Sequence, residues 1–162
     1  MNNDAGKVDP EMISVLEICR DVELSCAKLY RYFAEIFSSH QEMAELWRKT
    51  VREEENHARQ FVLAIKLCDE QIIDTLSLDG STAKNMLNVV KSMHDEARKN
   101  KPSILDSLRT AIKLEEDLAL FHMTTAANFV AESHKKLFSA MMNADKNHVE
   151  ELREFYQRQL AV

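Results

Sequence analysis

The chain has 162 residues, the size of a single domain spanning 1–162, and its two Gly, two Pro and 30% charged residues favour an all-α fold over a β-sheet. A net charge of −6 without a continuous basic run argues against nucleic-acid binding, and three cysteines without a CxxC pair argue against a disulfide framework, a zinc ribbon or a four-cysteine iron site. The polar start and the lack of an apolar stretch near ~20 residues argue against a membrane protein, so we expect a cytoplasmic location and reduced thiols.

Two long helices are predicted in the first half of the chain. The first begins with Asp9 as N-cap and Pro10 in the first helical position, and it runs to about residue 38. Ser39 and Glu42 have the spacing of a capping box, so a second helix should begin after a tight turn and continue to about residue 68. A short connection makes these helices antiparallel neighbours.

The second half of the chain repeats this arrangement after a long connection. Between residues 69 and 101, Gly80 interrupts the chain and Ser81 can cap a shorter helix. Pro102 begins a third long helix that runs to about residue 131, and a polar turn around Ser133 leads to a fourth. Two antiparallel hairpins joined by one long crossover predict a ferritin-like four-helix bundle, whereas an up-down-up-down bundle would have short loops throughout.

Each long helix carries ionisable residues on the face that should point into the core. The apolar stripe of each helix, read at steps of three and four residues, breaks near mid-length. Helices one and three carry a single glutamate there, and helices two and four carry a carboxylate and a histidine three residues apart. The interrupting residues are Glu23, Glu54, His57, Glu115, Asp145 and His148. Their nearly equal spacing in the two halves resembles an internal repeat.

These six residues have the composition of a two-metal site. Burying four carboxylates costs several kcal/mol per charge unless each is neutralised, and two divalent cations would neutralise them. A spacing of three places a carboxylate and an imidazole on one side of a helix, facing an ion between helices. Oxygen-rich ligation with two imidazoles favours two iron ions, with manganese as the alternative, over zinc. For each residue taken alone, a solvated helix face is the competing interpretation.

At these residues the chain resembles the rubrerythrin branch of the ferritin-like superfamily, whose di-iron pattern is Glu, E-x-x-H, Glu, E-x-x-H. The resemblance spans nearly the whole chain and is carried by VELSCAKLYRYFAEIF, EEENHARQF and AIKLEEDLALFH. It implies that Glu23 and Glu115 are terminal ligands and that Glu54 and Asp145 are candidates for bridging ligands. It also implies that His57 and His148 each bind one metal ion. Tyr30 matches a tyrosine near the metals in the family, and an ordinary core aromatic is the other interpretation.

Three departures limit what the resemblance implies. Asp145 stands where the family has Glu and is shorter by ~1.5 Å of reach, so its bridging role is in doubt and one metal should bind more weakly. Leu118 stands where peroxide-reducing rubrerythrins have a further Glu. The four-cysteine rubredoxin module is missing, so the reductant would be a separate electron donor such as a rubredoxin. His122, two turns from Glu115, is expected to be a core histidine or to support a ligand.

The resemblance implies a non-haem di-iron protein that reacts with dioxygen or peroxide, with ferrous iron or peroxide as the substrate. Two alternatives stay open, namely a non-enzymatic bundle that binds iron or a partner and a di-iron hydroxylase of an organic substrate. Ile18, Leu29 and Ile36 lie on another face of the first helix. That apolar strip needs cover, either from the crossover helix or from a second subunit of a homodimer.

Overall fold

The computed structural model describes residues 10–69, 80–127 and 132–161, and every regular element among them is an α-helix. The helices are α1 (Pro10–Ile36), α2 (Gln41–Asp69), α3 (Gly80–Lys99), α4 (Ile104–Ala127) and α5 (Glu132–Leu160). Several side chains at the end of α4 and in the first half of α5, that of Asp145 among them, lie outside the described part of the structure. The predicted all-α class is confirmed. In the described ranges, no helix combines the length and apolar character needed to span a membrane.

The first helix begins at Pro10 as predicted, whereas the starts of later helices differ from the predicted ones by one or two residues. The Ala44 amide of α2 donates to the His40 carbonyl, so His40 rather than Ser39 occupies the N-cap position. Ser81 lies within α3, which begins at Gly80 and has 20 residues. The crossover helix is nearly as long as α4, which has 24 residues. It continues past its last apolar residues to Lys99. The predicted N-cap Asp9 lies outside the described residues.

The N-terminus of α4 has a cap that the sequence analysis did not identify. The Asp106 amide donates to Ser103 Oγ at 3.1 Å, and the Ser103 hydroxyl donates to the Asp106 carboxylate at 2.6 Å. This pair satisfies one of the amide donors that a helix leaves open in its first turn. The helix consequently begins after Ser103 rather than at Pro102. At the other connection, α5 already includes Ser133, around which a turn was predicted.

The four long helices form two antiparallel hairpins. Within each hairpin, residues late in one helix contact residues early in the next, as short connections require. The contacts that define these directions are Tyr30 with Trp47 and Glu23 with His57 in the first hairpin, and Arg109 with Tyr156 and Glu115 with His148 in the second. The hairpins pack on each other through α1 with α4 and through α2 with α5.

The crossover helix α3 lies beside α1 and runs parallel to it. Near its start, a Cβ at Gly80 would lie 3.3 Å from Val15 Cγ2, so glycine permits this close approach. Near its end, the Tyr32 hydroxyl donates to the Ala97 carbonyl at 3.1 Å. Because α3 returns the chain to the end of the bundle where α2 begins, α4 runs parallel to α2.

The same helix covers the apolar strip of α1 that faces away from the bundle interior. Leu29 is fully buried in a cluster that includes Val90 of α3, and Ile36 packs against that cluster. Ile18 packs against a second cluster that includes Ala83 of α3. The crossover helix is therefore the cover for this strip. A homodimer is not required by it and stays a prediction.

Two hydrophobic clusters fill the interior at different heights along the bundle. The larger contains Tyr30, Phe33 and Trp47, and the smaller contains Leu16 and Phe61. Between them, near the middle of the long helices, lies a layer of buried ionisable side chains. We call it the polar layer and define its members below.

Candidate metal centre

The polar layer consists of six ionisable side chains contributed by all four long helices. They are Glu23, Glu54, His57, Glu115, His122 and His148, none of which is more than 5% exposed. The inward positions predicted for five of the ligand candidates are therefore confirmed. The side chain of the sixth candidate, Asp145, lies outside the described residues. His122 joins the layer as the expected buried histidine.

The first group of three potential ligands combines α1 with α2. Glu23, Glu54 and His57 offer ligand atoms that all lie within 4.8 Å of one another. His57 Nδ1 is 3.5 Å from Glu23 Oε2 and 3.6 Å from Glu54 Oε2. Their three-residue spacing places Glu54 and His57 on the same side of α2, opposite Glu23 on the antiparallel neighbour. This arrangement could hold one metal ion.

The second group combines α2, α4 and α5. Glu54, Glu115 and His148 also offer ligand atoms within 4.8 Å of one another. His148 Nδ1 lies 3.9 Å from both Glu54 Oε1 and Glu115 Oε2. Glu54 thus directs one carboxylate oxygen towards each group. Glu54 therefore belongs to both groups, and its role as a bridging ligand stays a prediction.

Several buried atoms that face these groups form no hydrogen bond within the described residues. They are both Glu54 carboxylate oxygens, Glu23 Oε2, Glu115 Oε2 and His148 Nδ1. Buried polar atoms are normally paired, and an unpaired buried carboxylate costs several kcal/mol. One cation in each group would coordinate these atoms together. Carboxylate oxygens and imidazole nitrogens are donors that suit iron or manganese, so the donor set fits such ions.

The other oxygens of Glu23 and Glu115 are held by side chains of the opposite hairpin. His122 Nε2 of α4 lies 2.8 Å from Glu23 Oε1 of α1. Reciprocally, the Tyr30 hydroxyl of α1 donates to Glu115 Oε1 of α4 at 2.5 Å. Hydrogen bonds of this kind orient metal ligands. Tyr30 therefore contacts the polar layer directly while also packing as a core aromatic. Its role beside bound metal ions stays a prediction.

Glu53 contacts the polar layer in a way that the sequence analysis did not identify. Its carboxylate lies 3.0 Å from His148 Nε2, which leaves His148 Nδ1 facing Glu54 and Glu115. A carboxylate on one ring nitrogen fixes the tautomer and the orientation of the imidazole. The helical periodicity of α2 places Glu53 outside the inward-facing stripe, where a solvated residue is expected. Only the packing of α5 on α2 brings a histidine to it, so the sequence of α2 contained no signal for this contact.

Charge in the polar layer is limited by retained protons. Burial raises the pKa of Glu54 well above its ordinary value. For His57 and His148, burial would lower the pKa, but the carboxylates beside them outweigh it and raise the values to about 11 and about 10. For Glu23, burial would raise the pKa, but the His122 imidazole and then His57 outweigh it and lower the value to about 2. Without bound cations, protons retained on Glu54, His57 and His148 therefore offset negative charge in the layer at neutral pH, and bound metal ions would take their place.

The three cysteines are buried, as predicted for small core residues. Burial raises the pKa of Cys26 well above its ordinary value, although this residue lies one turn from Glu23. A protonated, inaccessible thiol is a weak nucleophile and a weak metal ligand. Leu118, where a further glutamate was considered, is fully buried among apolar side chains of the larger cluster.

Comparisons of the chain with protein-family models, with curated proteins and with solved structures gave no significant match. The resemblance to rubrerythrins thus depends on the sequence pattern alone and stays a prediction. The geometry of the polar layer is the basis on which a function can be assigned.

Proposed function

We propose that this chain is a ferritin-like protein that binds two iron ions and reacts with dioxygen or peroxide, with manganese as the alternative metal. The observation that carries the proposal is the pair of ligand groups that share Glu54. Several buried oxygen and nitrogen atoms of these groups face one another without a hydrogen bond within the described residues. The crossover supports the ferritin-like topology, because α3 makes α4 run parallel to α2. The E-x-x-H pattern of the sequence is the second support.

Each ligand has a proposed position. One ion would be held by Glu23 and His57 and the other by Glu115 and His148, with Glu54 between them. Asp145 lies one turn before His148 on α5 and is proposed as the sixth ligand. Bound iron would supply one-electron redox chemistry towards dioxygen or peroxide.

The surrounding residues hold the ligands and exclude water. Hydrogen bonds from Tyr30 and His122 hold one oxygen of Glu115 and of Glu23, so that the other oxygen faces the ions. Burial raises the pKa of Tyr30 well above its ordinary value, so the phenol keeps its proton and stays a hydrogen-bond donor. Hydrophobic clusters on both sides of the layer limit access of bulk water.

Ferrous iron is the substrate that the surroundings of the layer favour. A surface depression that reaches His148 is lined by charged and polar residues. A hydroxylase of organic substrates would need an apolar channel instead. Peroxide is the second candidate, supported by the family resemblance, and its reduction would need a separate electron donor such as a rubredoxin. A bundle that binds iron without turnover is the non-enzymatic alternative.

Metal stoichiometry tests the proposal. Anaerobic titration of metal-free protein with ferrous ion, with elemental analysis of the purified chain, should give two ions per wild-type chain. Glu54→Ala should bind less than one ion, because the substitution takes a ligand from both groups. Glu55→Ala is the control and should still bind two, since Glu55 pairs with Arg31 at the surface. A wild-type stoichiometry of one or none would contradict the two-metal site.

A second measurement separates an oxidase from an iron-binding protein. Protein loaded anaerobically with two ferrous ions is mixed with oxygenated buffer that contains further ferrous ion, and oxygen consumption is followed. Repeated oxidation beyond the bound iron is expected for a ferroxidase. Oxygen consumption that stops once the bound ferrous ions are oxidised would favour iron handling without turnover.

A further inference from the structure

An acidic depression lies on the seam between α2 and α5, directly outside His148. Its volume is about 470 Å³, and its wall includes Glu150, Glu151 and Glu154 of α5. Glu53 and His148 also line it, and Lys49 is its exposed cationic residue. Four carboxylates thus face one ammonium group on the surface next to the second ligand group. Such a concentration of negative charge in a concave surface attracts cations.

The depression is connected to the polar layer through two side chains. The Glu53 side chain is 26% exposed, and its carboxylate lies 3.0 Å from Nε2 of His148. His148 itself is only 5% exposed, and its Nδ1 has no hydrogen bond within the described residues. That atom lies 3.9 Å from Glu115 Oε2 inside the layer. One carboxylate and one imidazole therefore separate the surface from the second ligand group.

Lys49 occupies the acidic depression as a counter-ion. Its ammonium group contacts the Glu151 carboxylate and lies 3.8 Å from Glu53 Oε1. Lys49 is exposed, so this ammonium can leave its position at little cost. A divalent cation that arrives at the depression would compete with it for the same two carboxylates.

The next depression along the same seam provides a contrast. Its volume is about 420 Å³, and its ionisable residues are Glu42, Glu45, Arg48, Lys49, Arg52 and Glu151. Three carboxylates are balanced there by three cationic side chains. It does not reach a member of the polar layer, whereas the acidic depression does.

We propose that the acidic depression is the route by which divalent metal cations reach the polar layer, with Glu53 passing the ion to His148 and Lys49 acting as a displaceable counter-ion. This inference depends on the proposed metal binding. The carboxylates of α5 raise the local cation concentration, and Glu53 releases His148 when its oxygen coordinates the arriving ion. The carboxylates of α5 should therefore accelerate metal uptake, whereas the ammonium group of Lys49 should slow it.

Uptake of cobalt(II) by metal-free, full-length protein tests the route. The rate is followed by stopped-flow absorbance at low ionic strength, and the final stoichiometry by titration. The double variant Glu150→Gln with Glu154→Gln should slow uptake by roughly three- to ten-fold, because it removes two exposed charges of the wall. Lys49→Gln should accelerate uptake, since it removes the competing ammonium. Both differences should shrink as added salt screens the charges.

Glu17→Gln is a control, since it removes an exposed carboxylate of α1 away from the acidic depression and should leave the rate unchanged. Equal stoichiometry in all of these variants is expected, because none removes a proposed ligand. If wild type takes up two ions but neither variant changes the rate, the route is wrong and the proposed function stands. If wild type takes up no cobalt and no ferrous ion, the proposed function itself fails.

Discussion

Tyr30 joins the larger hydrophobic cluster to the candidate metal centre. Its ring stacks on Trp47 with a centroid distance of 5.6 Å, and its hydroxyl donates to Glu115 at 2.5 Å. The aromatic contacts fix the position of the ring, so the hydroxyl is held in place before any ion binds. Glu115 then presents its second oxygen towards His148 in a defined orientation.

The substitution Tyr30→Phe tests this role, because it keeps the ring and removes the hydrogen bond. We expect two ions still to bind, with the affinity for the ion at Glu115 reduced by about 10- to 100-fold. Anaerobic titration with cobalt(II) measures the change. Tyr32→Phe is the control, since its hydroxyl donates to the Ala97 carbonyl of α3 and, among the described residues, not to a member of the polar layer. Equal affinities in wild type and Tyr30→Phe would contradict the proposed role.

At the scale of one element, α4 carries both Glu115 and His122 to α1 and begins with a side-chain cap. Both residues lie on the same helix as the Ser103 cap, and both reach α1 across the bundle. The hydrogen bonds between Ser103 and Asp106 define the first turn of that helix. A cap of this kind contributes about 1 kcal/mol of helix stability.

We therefore expect Ser103→Ala to lower the free energy of unfolding by about 1 kcal/mol at neutral pH. Urea denaturation of the metal-free protein measures it, and Ser14→Ala, an exposed site within α1, should cost less. The hydrogen bond from Ser103 lowers the pKa of Asp106 below its ordinary value of 3.8. The contribution of the carboxylate is thus present above that value and is lost as pH falls through the depressed pKa. A difference between wild type and Ser103→Ala that increases in acid would contradict this assignment.

For the whole molecule, the polar layer lowers the stability of the folded state, and the two hydrophobic clusters must offset this. Ionisable groups in a core are desolvated, and their mutual attraction repays that cost only in part. All four long helices contribute to the layer, so its instability acts on the packing of both hairpins. A ligand that binds only the folded state adds its binding energy to the stability of the whole bundle.

Bound metal should consequently raise the melting temperature. At a free ferrous concentration about 100 times the dissociation constant, the gain is about 2.7 kcal/mol, which corresponds to roughly 5 to 10 °C for a domain of this size. Anaerobic thermal denaturation followed by circular dichroism measures the shift. Glu54→Ala should show little stabilisation at the same ferrous concentration. A wild-type melting temperature that does not change with ferrous ion would contradict metal binding in the layer.

The sequence by itself determined which residues face the interior. Helical periodicity is a local property, so the steps of three and four residues placed Glu23, Glu54 and Glu115 on buried faces without knowledge of their neighbours. Loop lengths likewise predicted two hairpins and a crossover. Helix ends were less well predicted, because caps such as Ser103 compete with nearby alternatives that differ by only a fraction of the capping energy.

Only the tertiary structure decided which side chains meet across the bundle. The contact between Glu23 and His122 joins residues 99 positions apart, and the contact between Glu53 and His148 joins α2 to α5. Such pairs depend on the axial offset and rotation of one helix against another, which the packing of many apolar side chains sets together. A pattern read along one helix contains no information about that offset. For this reason the ligand candidates followed from the sequence, whereas their hydrogen-bond partners and the acidic depression outside His148 followed from the packed helices.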